Sequence, residues 1–77
     1  MEGLGANPDR LMRIVINGEQ ADSRDAVNLA ELVERYQMAP QSVLIEHNGT
    51  ALHPREWRQR ILADGDRIEV IRVVAGG

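Results

Sequence analysis

Two Asn-Gly pairs, Asn17-Gly18 and Asn48-Gly49, flank a single apolar stripe of helical spacing, and this arrangement restricts the fold more than any other feature of the chain. Asn-Gly accepts the positive φ that both central residues of a tight hairpin turn require, so each pair is expected to join two antiparallel strands. Ahead of the first pair, Met12, Ile14 and Ile16 alternate with Arg13, Val15 and Asn17, the period of a half-buried strand. Glu19 to Asp22 is its short return. Around the second pair, Val43 to Glu46 and Thr50 to Leu52 repeat the pattern. Between the hairpins, Leu29, Leu32, Val33 and Tyr36 recur at i, i+3, i+4 and i+7 and form one apolar helix face.

The helix carries its own punctuation. Asn28 is the expected N-cap, Glu31 the reciprocal residue of a capping box, and Val27 a staple against Leu32. Glu31 and Arg35 are spaced as an i, i+4 ion pair on the wet side. Pro40 disfavours helical geometry at Ala39 and is expected to end the element. Further on, Arg55 to Leu62 reads as a turn or short 3₁₀ segment under which Trp57 and Leu62 pack, and Asp64-Gly65-Asp66 as another turn. The last strand, Arg67 to Val74, places Ile68 and Val70 with Arg72 and Val74 on one face, and Arg67, Glu69, Ile71 and Val73 on the other.

One helix suits one face of one sheet, which predicts a two-layer α+β domain. A right-handed crossover would lay the final strand beside the first, in the middle of a mixed sheet of four to five strands. Ile14, Ile16, Ile68 and Val70 then meet Leu29, Leu32, Val33 and Tyr36. This is the β-grasp, ubiquitin-like arrangement.

At 77 residues the chain holds one domain, and a core of that size is expected to supply only ~3–5 kcal/mol. With no cysteine there is no disulfide, no thiolate metal site and no cysteine nucleophile. A net charge of -3 argues against nucleic-acid or anionic-membrane partners, which call for a basic patch. No apolar run approaches the ~20 residues of a membrane span and no signal peptide is evident, so a cytoplasmic location is expected. Met1 to Leu11, with two glycines and an Asn-Pro, has little to bury and is expected to be a disordered N-terminal extension, leaving 12–77 as the domain.

Catalytic candidates are few. His47 and His53 flank the second hairpin turn, but two histidines do not close a tetrahedral metal site, and both are expected at the solvent edge. Asp64 and Asp66 are explained by turn chemistry. Trp57 has a core or rim role, and no glycine-rich run opens onto a helix as a phosphate loop would. What remains is the end of the sequence, where Gly76 and Gly77 follow the closing strand and carry the α-carboxylate on a tether without side chains. Lacking Cβ atoms, they suit entry into a narrow tunnel and leave the carboxyl carbon uncrowded for activation.

From Met12 to Gly77 the sequence resembles the ubiquitin-like sulfur carrier family of thiamine biosynthesis, ThiS. The resemblance lies in Asn17-Gly18-Glu19, Leu29-Ala30-Glu31-Leu32, Asn48-Gly49, Pro54-Arg55-Glu56-Trp57, Leu62, Gly65-Asp66-Arg67-Ile68-Glu69 and Val74-Ala75-Gly76-Gly77. It implies a protein co-substrate rather than an enzyme, with no bound cofactor. A ThiF-like adenylating enzyme would use ATP and Mg to activate the terminal carboxylate. A sulfur donor such as a cysteine desulfurase system would then convert it to a thiocarboxylate, and a ThiG-like thiazole synthase would receive the sulfur. On that resemblance Gly77 bears the sulfur, Gly76 and Ala75 form the tail, and Ala75 departs from the glycine often found there. The small subunit of molybdopterin synthase shares the fold and tail, but its last strand usually contains proline, which Arg72-Val73-Val74-Ala75 does not. Another thiocarboxylate carrier, or an interaction module whose tail does no chemistry, are the remaining alternatives.

Two readings concern partners. All nine basic residues are arginine, so no lysine amine is on offer to an activated carboxyl terminus of another copy, which suits a carrier better than a polymerising modifier. The expected partner-binding surface is the sheet face away from the helix, where Ile71 and Val73 stand with Arg67, Glu69, Arg13 and Val15.

Overall fold

The structure, a computed structural model, describes residues 12–73. Five strands form one sheet: β1 (Arg13–Ile16), β2 (Glu19–Asp22), β3 (Val43–His47), β4 (Thr50–Leu52) and β5 (Arg67–Arg72). Helix α1 spans Leu29–Arg35, a one-turn helix α2 spans Pro54–Trp57, and a 3₁₀ turn covers Pro40–Ser42. The expected disorder of 1–11 falls outside the described residues.

Both hairpins form where Asn-Gly places them. Asn17 and Gly18 have φ of 51° and 84°, Asn48 and Gly49 have 53° and 88°, and such paired positive values match the right-handed twist of the flanking strands. The strand order is β2-β1-β5-β3-β4. Strand β5 is parallel to β1, with Val15 opposite Arg67, and antiparallel to β3, with Val43 opposite Arg72. The last strand therefore lies in the middle, as the β-grasp reading requires.

The core sits between the sheet and α1. Ile14, Ile45 and Ile68 from three neighbouring strands meet Leu29, Leu32 and Val33, all six essentially without solvent contact. Burying each contributes about 1.5–3 kcal/mol relative to exposure. Trp57 and Leu62 close the far side of this cluster, as the sequence suggested, and Tyr36 and Val70 pack at its margin. The segment around Trp57 is a single α-turn rather than a 3₁₀ turn.

Several local expectations for α1 are revised. Asn28 Oδ1 does accept the Glu31 N–H at 2.9 Å, but Glu31 Oε1 accepts from Val27 N–H at 2.8 Å, one residue ahead of the amide a capping box would use. Val27 is 54% exposed and is not among the partly buried residues packed on the core, so it does not serve as the expected staple. Its carbonyl accepts from Leu62 N–H, within a short antiparallel bridge between Asn28 and Ile61. With its carboxylate on Val27, Glu31 makes no pair with Arg35, whose Nε donates to the Arg24 carbonyl and whose Nη1 is 3.9 Å from Glu34.

Nor does Pro40 end the helix. Gln37 enters the left-handed region at φ 56°, its N–H bonds the Glu34 carbonyl, and Met38 N–H bonds the Val33 carbonyl. This is a Schellman stop. Pro40 instead begins the 3₁₀ turn that leads into β3.

Candidate functional site

Gly77, the expected sulfur-bearing residue, and the tail residues Gly76 and Ala75 lie outside the described residues. Strand β5 precedes them in sequence, the described residues run one position past it to Val73, and its two ends and one open face make up the site.

Where β5 begins, the chain folds a buried carboxylate against a buried imidazole. Alternation along β3 puts Val43, Ile45 and His47 on the inner face, and the same period along β5 puts Asp66 there with Ile68. His47 Nε2–H donates to Asp66 Oδ2 at 2.6 Å, and the same oxygen accepts the Ala63 N–H at 2.9 Å. Asn48 Nδ2 donates to Asp66 Oδ1 at 3.0 Å. Burial pushes the Asp66 carboxyl upward, but the hydrogen bonds from Asn48, His47 and Ala63 and the adjacent imidazole outweigh it and hold the group below its ordinary value.

This overturns two sequence readings. His47 is 6% exposed and does not stand at the solvent edge. Asp66 does more than shape its own turn. The sequence signal was the Val43-Ile45-His47 alternation carried one position further. His53 is exposed as expected and precedes α2, where its N–H donates to Glu56 Oε1 at 2.8 Å. Among the described residues, no cluster of three or more His, Asp or Glu side chains is arranged to hold a metal.

The outer face of the sheet carries all six residues assigned to partner binding, but it spreads them out. Ile71 and Val73 are 48% and 45% exposed. Beside them the register sets Leu44, 54% exposed and missing from the sequence reading, directly opposite Ile71. Next along β5, Glu69 faces Glu46 across the strands. Arg67 follows, opposite Val15. Arg13 stands beyond it, its carbonyl taking the Gly65 N–H and its N–H bonded to Asp64 Oδ1. Within β5, Arg67 lies four positions from Ile71, about 13 Å at strand rise, and Arg13 lies two positions further off along β1 than Val15. The face thus grades from an apolar end at the exit of β5, through an acidic step, to a basic end, and Arg13 and Val15 do not border the apolar pair.

The model of the ThiS family matches residues 8–77. The crystal structure of the thiamine biosynthesis protein ThiS from Geobacter metallireducens is similar, with a TM-score of 0.73 and 28% identity, covering 86% of this chain and all of that one. A solution structure of a thiamine biosynthesis protein from the same organism aligns with a TM-score of 0.70 at 28% identity, over 86% of this chain and 88% of the other. In sequence the chain is similar to the ycf40 protein of Porphyra purpurea, 31% identical over 64 residues that cover 83% of this chain and 90% of the relative.

Proposed function

The chain belongs to the ThiS family, and from that premise we propose that it is a sulfur carrier protein of thiamine biosynthesis rather than an enzyme. In this reading a ThiF-like adenylating enzyme, using ATP and Mg, joins the Gly77 carboxylate to AMP and releases pyrophosphate. Sulfide from the sulfur donor then attacks the acyl carbon and displaces AMP, which leaves a thiocarboxylate, and a ThiG-like thiazole synthase takes the sulfur. Adenylation is needed because a carboxylate is a poor electrophile, whereas an acyl-adenylate carries a good leaving group. The chain's own contribution is presentation. A packed sheet delivers β5 to the partner, and Gly76 and Gly77 bring the carboxyl group beyond it without side chains to obstruct approach.

The observation that carries this reading is the joint one of a β-grasp sheet with β5 at its centre and Val73-Val74-Ala75-Gly76-Gly77 following that strand in sequence. The graded outer face supports it, since Leu44, Ile71 and Val73 give a docking partner an apolar contact beside the strand that leads to the tail. Intact-mass measurement after incubation with the adenylating enzyme, ATP and a sulfur donor tests it. The chain should gain the difference between one sulfur and one oxygen, and a variant extended by one residue after Gly77 should gain nothing. Sulfur on the untrimmed extended variant would show that Gly77 is not the acceptor.

A further inference from the structure

We propose that the edge of β5 beyond Asn17 is a strand-addition site, filled by an extended backbone segment of the adenylating enzyme that takes up the tail. The inference rests on the carrier reading above and assigns where that enzyme grips. Main-chain groups along β5 turn alternately to its two sides. Towards β3, Asn48 N–H donates to the Arg67 carbonyl and Val73 N–H to the Ser42 carbonyl, both at 2.8 Å. With Val43 opposite Arg72, the odd-numbered residues of β5 thus bond β3, and the even-numbered ones turn towards β1. On that side Asp66 and Ile68 carbonyls accept from Val15 N–H and Asn17 N–H at 2.8 and 2.9 Å.

Strand β1 ends at Ile16, two positions short of reaching Val70. The Asn17 side chain takes over: its Oδ1 accepts the Val70 N–H at 2.7 Å and its Nδ2 donates to the Val70 carbonyl at 3.3 Å. A side-chain amide therefore serves as one more residue of β1. Arg72 is the next even position. Its N–H and C=O face the place β1 has vacated, and neither has a partner among the described residues. Beside this edge opens a cleft of about 330 Å³ whose walls include Tyr36, Met38, Val43, Val70 and Arg72. Tyr36, Met38 and Val70 are only partly buried.

An open edge is a template for backbone pairing, and soluble proteins ordinarily cover or blunt it. Here it is one strand wide, stopped at one end by Asn17, and floored by apolar side chains. It fits a segment that offers a carbonyl and an amide to Arg72 and drops one apolar residue into the cleft. The adenylating enzyme is the occupant because, in the carrier reading, it must hold the carboxylate that follows β5 by five residues in sequence, and Arg72 is the even-numbered β5 residue nearest that tail.

Amide hydrogen exchange read by NMR tests this on the whole chain, alone and with the adenylating enzyme. Alone, the Arg72 amide should exchange fast and the Val73 amide slowly; in the complex, Arg72 should become protected by tenfold or more. Arg72→Pro deletes an N–H that the sheet does not use, and should weaken the complex by about tenfold, while Arg72→Gln, which keeps the N–H, should not match that loss. Protection at Arg72 that rises with the chain's own concentration would mean that a second copy fills the edge, and overturns the assignment. A chain that is adenylated while its Arg72 amide still exchanges fast in the complex overturns strand addition alone. A chain that neither binds nor is adenylated overturns the carrier reading with it.

Discussion

At Arg67 strand β5 enters the sheet through a knot of side chains, whereas at Arg72 it leaves on far lighter support. The entry is fixed by His47, Asn48 and Ala63 converging on the Asp66 carboxylate, and by Asn48 bonding Arg67 with both its backbone N–H and its side-chain oxygen. The exit has the Asn17 amide on Val70, the Ser42 carbonyl on Val73, and apolar side chains half in water. One strand thus contains a stability-bearing end and, in the carrier reading, a presenting end. Surface given to a partner is not available to the core, so the fold concentrates its polar anchoring at the end farther from the tail.

The largest effect that would sharpen this contrast is expected at the entry. Asp66→Ala strands the His47, Asn48 and Ala63 donors in or near the interior, and should cost about 3 kcal/mol in urea unfolding. That is comparable to the whole stability expected of a core this small. Acid reports on the same group. The folded-state pKa of Asp66 lies below the ordinary 3.8, so its contribution is fully present above that value and is lost as pH falls through it towards the lower folded value. The urea midpoint of the unmodified chain should therefore drop more steeply below about pH 4 than that of Asp66→Asn. Parallel curves would remove the entry end's special standing.

A smaller loss belongs to the exit. Asn17→Gly keeps the positive φ of the turn and deletes the clamp, and should cost about 1 kcal/mol. Exchange at the Val70 amide should quicken while that of Arg67 stays as it was. If both quicken together, β5 behaves as one unit and the two-ended description fails. The smallest change in stability is expected for Ile71→Ser combined with Val73→Ser, under about 1 kcal/mol because neither side chain is in the core. Titration against the adenylating enzyme and the thiazole synthase should show severalfold weaker binding to each. Intact binding to both, or unfolding, would mean that the outer face is not where partners dock.

Features with a strong local cause were legible in the sequence. The Asn-Gly turns and the Leu29-Leu32-Val33-Tyr36 stripe each follow from a few adjacent residues, and once they were placed, a central β5 followed from topology. Side-chain partners were not legible where competing acceptors decide them. Glu31 had both Asn28 and Val27 amides within reach, and the spacing along the chain does not decide that it meets Val27. Asp66 lies 19 residues from His47, a separation at which no local rule operates. The Asn17 clamp is hidden for another reason, since the residue type was already explained by its turn.

The placement of β5 also has a bearing on when the molecule comes to exist. The two strands that pair in parallel at the centre of the sheet, β1 and β5, are the first and last of the described strands in sequence. Such distant pairing slows folding relative to local contacts. A ribosome adding roughly 5–20 residues per second releases β1 seconds before β5. Until then, Ile14 and Ile45 have no Ile68 between them, and the sheet is two separate hairpins, each too small to stand alone. Completion of the fold is therefore timed to the last strand, the one that leads to the tail.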